Sequence, residues 1–357
     1  MLKAGIIGCG GIADGKHLPA IKKTGLVEIA ALCDMKIEKA HNMQKKFELP
    51  EARIFEGYKE LLNLDLDLVY VLTPNRSHSE ITVAALENGK NVMCEKPMAI
   101  NYEEAKKMAD AAEKAGKVLT IGYQNRFRSD SLYLKSLCAD NELGEIYFAK
   151  ARALRRRAVP TWGVFLDEYN QGGGPLIDIG THALDLTLWM MDNYRPKYAV
   201  GTTYHKLNKQ TQTGNAWGDW NPDEFTVEDS AFGFVVMENG ATIILESSWA
   251  LNTLEAGEAI TALCGNKGGA DMFDGLRING VRRARQFVER PDMNAGGVAF
   301  FEGAGGADPN VLEQLSFINA VMGKGELTVL PEQALAVTKI LDAIYQSAKT
   351  GKPVYFE

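Results

Sequence analysis

The sequence of 357 residues is poor in cysteine and shows no grouping of metal-binding residues. Its five cysteines are scattered, and it contains neither a Cys-x-x-Cys pair nor a zinc-type cluster of His and Cys. An odd number of scattered cysteines favours free thiols in a reducing compartment over a disulfide framework. The sequence therefore predicts no metal centre and a cytoplasmic location. The cysteines are Cys9, Cys33, Cys94, Cys138 and Cys264.

Excess basic charge and long apolar runs are missing as well. The chain has 39 Lys and Arg against 46 Asp and Glu, a formal net charge of −7, which argues against binding to nucleic acid. The run Arg155–Arg157 is too short for a nucleic-acid tail and is more typical of a site or an interface. No stretch approaches the roughly 20 apolar residues of a membrane span. The chain enters a predicted strand at once, which leaves no room for a signal peptide. We expect neither a nucleic-acid nor a membrane partner.

The chain does contain a glycine-rich turn at its start. The apolar run Ala4–Ile7 predicts a buried strand, and a helix is predicted from about Ile12. Between them the sequence reads Gly8-Cys9-Gly10-Gly11, and with Ala13 it fits the Gly-x-Gly-x-x-Ala form of the dinucleotide-binding fingerprint. The first glycine permits the turn, the second lets the backbone approach a pyrophosphate, and the helix N-terminus attracts phosphate. A glycine-rich turn in another kind of α/β protein is the alternative.

An acidic residue supports the nucleotide interpretation. Val27–Cys33 predicts the second strand, and Asp34 follows Ala13 by 21 positions, close to the roughly 20 residues expected. A carboxylate there accepts hydrogen bonds from the adenosine ribose and repels a 2′-phosphate, so NAD is favoured over NADP. Lys36 leaves NADP open, and a solvated residue at a strand end is the alternative for Asp34.

The length suits two domains, and the apolar (46%) and charged (24%) contents are ordinary. In the first half, strands alternate with helices, which predicts a parallel sheet with right-handed crossovers. Beyond about Gln124 longer strand-like runs follow, with a hairpin signal at Glu238–Gly240 and long loops at 210–224 and 292–308. We predict a nucleotide-binding α/β domain over residues 1–123 and an α+β domain with a mostly antiparallel sheet over 124–357. The predicted strands of the first domain are Ala4–Ile7, Val27–Cys33, Arg53–Phe55, Asp67–Leu72, Asn91–Cys94 and Val118–Gly122.

Ligands of such sheets bind beyond the carboxyl ends of the strands. We expect the segments that follow the predicted strands to lie at that edge. These segments are the glycine turn, Asp34, Thr73-Pro74-Asn75, Glu95-Lys96-Pro97 and Gln124. Pro97 restricts the backbone at Lys96, so the lysine can hydrogen-bond both a substrate hydroxyl and a cofactor ribose. A surface lysine in a turn is the alternative. Asn75 suits the nicotinamide side of the cofactor, and His78 is expected to be structural or adjacent to the cofactor.

A second chemical element lies at Asp178-Ile179-Gly180-Thr181-His182. Residues four apart share a face of an α-helix, so we expect the carboxylate near the histidine and Gly180 to keep that surface open. A neutral histidine with a nearby carboxylate is a standard proton acceptor. A buried histidine bonded within the core is the alternative.

Together these stretches resemble the Gfo/Idh/MocA family, the glucose–fructose oxidoreductase and inositol dehydrogenase group. The likeness covers nearly the whole chain, and its most specific part is Glu95-Lys96-Pro97 combined with Asp178-x-Gly180-x-His182. The closing stretch 332–354 is similar to the last helix of the family. The family often shows Asn-Arg-Arg-Phe after a Gly-Tyr pair, whereas this chain has Gln124-Asn125-Arg126-Phe127, so the expected nicotinamide contact falls on Gln124.

The resemblance implies an N-terminal Rossmann domain and a C-terminal domain with a large open sheet, whose face usually builds dimers or tetramers. It therefore implies a homo-oligomer. Lys96, Asp178 and His182 are the implied catalytic residues, and they also contact the substrate. The implied cofactor-binding residues are Gly8, Gly10, Gly11, Ile12, Asp34, Thr73, Pro74, Asn75, His78, Glu95, Lys96 and Gln124.

The substrate signal lies in the stretch 155–165 and in Gly172–Pro175, which resemble family members that oxidise glucosides at C3. Arg156, Trp162 and Tyr169 suit a polyol, since an aromatic face covers the apolar side of a pyranose and charged donors bind its hydroxyls. A tryptophan of the core or of an interface is the alternative for Trp162. We predict NAD-dependent oxidation of a secondary alcohol of a sugar or glycoside.

Three other functions stay open at this point. They are an inositol dehydrogenase, a redox-neutral glycoside-processing enzyme with tightly bound NAD, and a non-catalytic dinucleotide-binding regulator. The regulator is disfavoured because both Lys96 and His182 are present.

Overall fold

The computed structural model describes residues 1–293 and 308–356. The described residues form two compact units. The first unit comprises residues 1–127 and 308–335. The second unit comprises residues 128–293 and 336–356. The loop expected at 292–308 lies almost wholly outside the described residues.

The first unit is built on a parallel sheet of six strands, counted over the described residues, in the order β3-β2-β1-β4-β5-β6. Ile7 of β1 pairs with Cys33 of β2 on one side and with Val71 of β4 on the other. The strands β2 and β3 therefore extend the sheet to one side of β1, and β4, β5 and β6 extend it to the other. In such sheets a ligand binds at this switch point. The predicted parallel sheet is confirmed. Its strands are β1 (Leu2–Ile7), β2 (Val27–Cys33), β3 (Arg53–Phe55), β4 (Leu68–Val71), β5 (Asn91–Cys94) and β6 (Leu119–Ile121).

The described residues contain ten α-helices, which range from four to 20 residues in length. Gly116 ends one of them at φ +60°, where a glycine costs least. The α-helices are α1 (Leu18–Thr24), α2 (Ile37–Lys46), α3 (Tyr58–Leu62), α4 (His78–Glu87), α5 (Tyr102–Ala115), α6 (Ser129–Ala139), α7 (Glu168–Gln171), α8 (Thr181–Met191), α9 (Pro309–Val321) and α10 (Pro331–Thr350). No helix among the described residues is long and apolar enough to cross a membrane.

Two helical segments differ from prediction because they open with a π turn. The turn Ala13–His17 precedes α1, and the turn Leu176–Gly180 precedes α8. Single π turns inside helices are frequent at functional sites, because the extra residue re-aims neighbouring side chains. The first π turn carries Lys16 and His17, and the second carries Asp178.

The second unit contains a sheet of nine strands over the described residues, in the order β14-β13-β12-β11-β7-β10-β9-β8-β15. Among the described strands of this sheet only β7 and β10 pair in parallel, so the prediction of a mostly antiparallel sheet is confirmed. The strands are β7 (Ile146–Leu154), β8 (Pro196–Tyr204), β9 (Ser230–Met237), β10 (Thr242–Ser248), β11 (Gly257–Gly265), β12 (Gly268–Asp271), β13 (Arg277–Arg282), β14 (Arg285–Glu289) and β15 (Val354–Tyr355).

Sequence patterns missed β12, β14 and β15. β12 reads Gly-Gly-Ala-Asp, a composition that disfavours strands. Gly269 is favoured at its position in β12 because a Cβ there would lie only 3.0 Å from the carbonyl oxygen of Leu263 on β11. β14 is short and mostly exposed, and β15 has only two residues, so neither gives a periodic apolar signal.

Candidate active site

The glycine turn after β1 has the geometry of a phosphate-binding turn. Gly8 has φ +100°, and a Cβ there would lie 2.5 Å from the carbonyl oxygen of Leu72. A Cβ at Gly10 or Gly11 would meet nothing within 4 Å. The first glycine is therefore required by the fold, whereas the other two keep an open face at the start of a helix. That open face suits close approach by a pyrophosphate.

Asp34 is held beside this turn. Its Oδ2 accepts a hydrogen bond from the backbone N–H of Cys9 at 2.9 Å, and its Oδ1 accepts one from the N–H of Lys36 at 2.8 Å. The carboxylate is half-buried and its orientation is fixed from both sides. A parallel doubly wound sheet with this glycine turn, and with a carboxylate after its second strand, defines a dinucleotide-binding domain.

His78 connects the segment after β4 with the segment after β5 through contacts to backbone carbonyl oxygens. Its Nδ1 lies 2.8 Å from the carbonyl oxygen of Pro97, and its Nε2 lies 2.8 Å from that of Thr73. The ring is fully buried. His78 therefore links the two strand-end segments. Asn75 is buried in the short turn that follows the exposed Pro74.

Glu95 is the centre of a buried charge cluster. Its Oε1 lies 2.7 Å from both Lys16 Nζ and His17 Nε2. Burial alone would raise the pKa of Glu95, but Lys16 and His17 hold it well below its ordinary value. The Oε2 of the same carboxylate accepts the backbone N–H of Lys96 at 3.1 Å. The cluster thereby fixes the backbone from which Lys96 projects.

The other side of Lys16 faces a second buried carboxylate. Lys16 Nζ lies 3.0 Å from Glu313 Oε2, and Gln124 Oε1 accepts from the same ammonium at 3.4 Å. Burial raises the pKa of Glu313 to about 7 against the opposing effect of Lys16. Burial also lowers the pKa of His17, so its ring is neutral. Gln314 donates to Nδ1 of that ring, and the proton on Nε2 then points to Glu95.

In the second unit, Asp178 is buried and its Oδ2 accepts a hydrogen bond from Trp249 Nε1 at 3.0 Å. The segment before it is anchored by Glu228, which accepts the backbone N–H groups of Gly174 at 2.8 Å and Leu176 at 3.1 Å. Tyr345 donates its hydroxyl to the same carboxylate at 2.8 Å. Burial raises the pKa of Glu228 to about 7.

His182 is buried in the first turn of α8, which begins directly after the π turn that holds Asp178. The expectation that Gly180 keeps this surface open is wrong. Gly180 is buried, and a Cβ there would lie 3.0 Å from Ser247 Oγ on β10. Its role is to let the helix approach the sheet. The four-residue spacing argument assumed an α-helix, whereas Asp178 lies in a wider turn.

The predicted sugar-binding residues are exposed. Trp162 is 52% exposed and Tyr169 is 67% exposed, and Arg156 also faces solvent. A tryptophan of the core is thus excluded for Trp162 within its own unit. Its ring contacts Phe165 and Trp217 edge to face, with centroids 5.9 and 5.0 Å away.

Sequence reasoning missed Lys16, His17, Glu313 and Glu228. Glu313 lies between Leu312 and the polar Gln314 in α9, so no local pattern marks it as a buried carboxylate. Its partner Lys16 lies almost 300 residues earlier, so the pairing itself left no local signal. Among the described residues no group of three or more His, Cys, Asp or Glu side chains is arranged to hold a metal ion.

Comparison with known proteins identifies the family. Residues 2–123 match the model of an oxidoreductase family with an NAD-binding Rossmann fold, and residues 131–271 match the GFO/IDH/MocA C-terminal domain. The chain is 37% identical over 357 residues to the D-glucoside 3-dehydrogenase of Escherichia coli (strain K12), covering 99% of this chain and 97% of that protein. It is 36% identical over 220 residues to the glucose-6-phosphate 3-dehydrogenase of Bacillus subtilis (strain 168), covering 60% and 59%. The chain belongs to the GFO/IDH/MocA oxidoreductase family.

Solved structures share the fold. An aldose–aldose oxidoreductase from Caulobacter crescentus complexed with glycerol superposes with a TM-score of 0.79 at 24% identity, covering 99% of each chain. A levoglucosan dehydrogenase complexed with NADH and levoglucosan gives 0.82 at 19% identity, again over 99% of each chain. The protein is thus an oxidoreductase with a nicotinamide-dinucleotide-binding domain.

Proposed function

We propose that the protein is an NAD-dependent dehydrogenase that oxidises a secondary alcohol of a sugar or glycoside, at C3 of a glucose-type ring. The observation that carries this proposal is the 37% identity to a D-glucoside 3-dehydrogenase over nearly the whole of both chains. The five free thiols support a cytoplasmic location.

The cofactor is assigned to the carboxyl edge of the parallel sheet. Gly8, Gly10, Gly11 and Ile12 would hold the pyrophosphate, and Asp34 would accept from the adenosine ribose. The residues after the next strands would line the nicotinamide end of the cofactor, and His78 links two of these segments. They are Thr73, Pro74, Asn75, Glu95, Lys96 and Gln124.

The NAD preference rests on Asp34. Asp34→Ala should raise kcat/KM for NADP relative to NAD, because the carboxylate no longer repels the 2′-phosphate. Initial rates with each dinucleotide would measure this ratio. An unchanged ratio would remove Asp34 from the site, and Asp14→Ala, a change at another half-buried aspartate, is the control.

The chemistry assigned to the chain is proton transfer and charge stabilisation. His182 accepts the hydroxyl proton of the substrate, and Asp178 binds a neighbouring hydroxyl or orients His182. Lys96 orients the reacting oxygen and stabilises its developing charge. Arg156, Trp162 and Tyr169 contact the sugar or glycoside substrate. When bound, NAD⁺ accepts the hydride that leaves the substrate carbon bearing this hydroxyl.

The proposal is tested by mixing the purified protein with NAD⁺ and a panel of sugars while following the absorbance of NADH. The panel contains glucose, glucosides, inositols and sugar phosphates. Turnover of glucosides or glucose, with the 3-keto product identified by mass spectrometry and NMR, is the expected result. Turnover of inositol alone would assign the protein to the inositol dehydrogenases. Absence of turnover with NAD still bound would favour a redox-neutral enzyme.

We also propose a homo-oligomer formed through the sheet of the second unit. Its strands leave large apolar side chains in solvent, including Tyr147, Phe234, Val281 and Val288, the pattern of an interaction surface. Light scattering on the purified protein would measure the mass, and a monomer at micromolar concentration would contradict the proposal.

A further inference from the structure

The second unit contains a cavity beside the exposed tryptophans. Its volume is about 390 Å³, and Trp162, Val164 and Leu166 form part of its lining. Ligand pockets span about 300–1,000 Å³ and bury most of a small molecule. The cavity therefore suits a single ring better than an extended chain of rings.

The aromatic wall of the cavity, formed by Trp162, is held in place by Trp217, which is not itself part of the lining. The rings of Trp162 and Trp217 meet edge to face at 5.0 Å, and Thr161 Oγ1 donates to the carbonyl oxygen of Trp217 at 2.8 Å. The guanidinium of Arg155 lies 5.4 Å from the centroid of the Trp217 ring and is itself paired with Glu258 through two hydrogen bonds. A preorganised surface of this kind loses little entropy when a ligand binds.

Aromatic contacts connect this wall to Asp178. Trp162 contacts Phe165, whose ring centroid lies 6.3 Å from that of Trp249. Trp249 donates to the carboxylate of Asp178. Trp162 and Asp178 are thus separated by two aromatic rings. Because more than one ring separates them, a sugar ring bound at Asp178 does not itself occupy the cavity at Trp162.

The polar part of the lining suits hydroxyl groups. Asp167, Glu224, Thr161 and Thr226 contribute to it. Asp167 caps α7 through the N–H of Tyr169, and Thr226 donates to the carbonyl oxygen of Leu166, so their orientations are fixed. Glu224 is exposed at the rim, and its carboxylate can accept from hydroxyls. Aromatic faces beside carboxylates favour a pyranose over a purely apolar group.

We propose that this cavity is a subsite for the second sugar ring of a disaccharide whose first ring is the one oxidised. This proposal rests on the proposed function. Trp162 contacts the apolar C–H face of the second ring, and Glu224 accepts hydrogen bonds from the hydroxyls of that ring. Trp217 holds the ring of Trp162 in place.

The test compares kcat/KM for glucose disaccharides with kcat/KM for methyl glucoside, which has the glycosidic bond without a second ring. Trp162→Ala should lower the disaccharide-to-methyl-glucoside ratio by about five- to tenfold, because it removes the aromatic contact with the second ring. Trp217→Ala should lower the ratio by a smaller factor, because it removes the ring that holds Trp162 in place. Trp217→Phe should restore most of the ratio, and Glu224→Gln should lower it through KM. Tyr133→Ala, a change at an exposed aromatic residue of α6, should leave the ratio unchanged.

Ratios that stay the same in both tryptophan variants would overturn the proposal. A tryptophan-dependent preference for phenyl glucoside without any for disaccharides would overturn it in favour of an apolar substituent. If no sugar is oxidised, the proposed function fails, and calorimetry on the NAD-loaded protein then decides the subsite. Disaccharide binding weakened by Trp217→Ala would support it, and absence of disaccharide binding would overturn it.

Discussion

Lys16 illustrates how a single buried charge supports the predicted catalytic segment. Its ammonium lies between the carboxylates of Glu95 and Glu313, with little access to water. Burial opposes the charge on Lys16, but the two carboxylates raise its pKa, so it stays protonated. Because Glu95 also accepts the N–H of Lys96, Lys16 stabilises that backbone indirectly.

Lys16→Met should therefore lower the free energy of unfolding by about 3–5 kcal/mol, since it leaves buried carboxylates without their partner. Urea unfolding monitored by circular dichroism would measure the change. Lys46→Met is the matched control, because Lys46 pairs with Asp14 at 2.6 Å on the surface. Exposed ion pairs contribute less than about 1 kcal/mol. Equal effects of the two substitutions would contradict a special role for Lys16.

His182 is the residue on which the proposed chemistry depends most. His182→Ala should lower kcat by roughly 10²–10⁴, the usual contribution of a general base. Stopped-flow measurement of NADH formation would separate the chemical step from product release. Unchanged turnover would contradict the assignment. Leu188→Ala, a change at a buried residue of the same helix, controls for loss of packing.

The turn after β1 contains one glycine that the fold requires and another that it does not. Gly8 is required sterically, because its Cβ position overlaps the backbone at Leu72. Gly10 has open space around its Cβ position and no such requirement. No contact of the protein with itself requires the second glycine, which supports the proposed approach of the cofactor to Gly10.

Gly10→Ala should accordingly leave the thermal midpoint almost unchanged while weakening NAD binding, since the added methyl group occupies the phosphate-facing side. Calorimetric titration with NAD⁺ and differential scanning calorimetry would report the two effects separately. Gly15→Ala is the matched control, because a Cβ at Gly15 also meets nothing within 4 Å and Gly15 lies outside the fingerprint. Equal NAD affinity in Gly10→Ala and the wild type would show that this face does not bind the cofactor.

At the scale of the whole molecule, the sequence predicts what depends on local periodicity. The first sheet followed from apolar runs that alternate with helices, and the proposed ligand edge is an expectation that rests on the parallel order of the strands. Contacts between distant segments were not predictable. Ile344 of α10 fills the space left by Gly201 and Gly233 on adjacent strands, and neither glycine signals a helix more than 100 residues later. The π turn at Asp178 also gives no signal in composition.

Tyr345 is another such distant contact, 117 residues from Glu228, and it joins the last helix to the segment that leads to Asp178. Burial raises the pKa of Glu228 to about 7, above its ordinary value of 4.5. The folded state therefore favours the protonated carboxyl. The stability from this preference is fully present below about pH 4.5 and is lost as the pH rises through about 7. The hydroxyl of Tyr345 offsets part of that loss by donating to the carboxylate.

Tyr345→Phe should lower the free energy of unfolding by about 1–3 kcal/mol, because a buried carboxylate oxygen loses a donor. The loss should be greater at about pH 8 than at about pH 6, since only the ionised form depends strongly on that donor. Urea unfolding at both pH values would measure it. Tyr58→Phe removes a similar hydroxyl from a 2.6 Å hydrogen bond to exposed Glu80 and should show little effect at either pH. A loss that is equal at the two pH values would mean that Glu228 does not titrate in this range and that Tyr345 acts through packing alone.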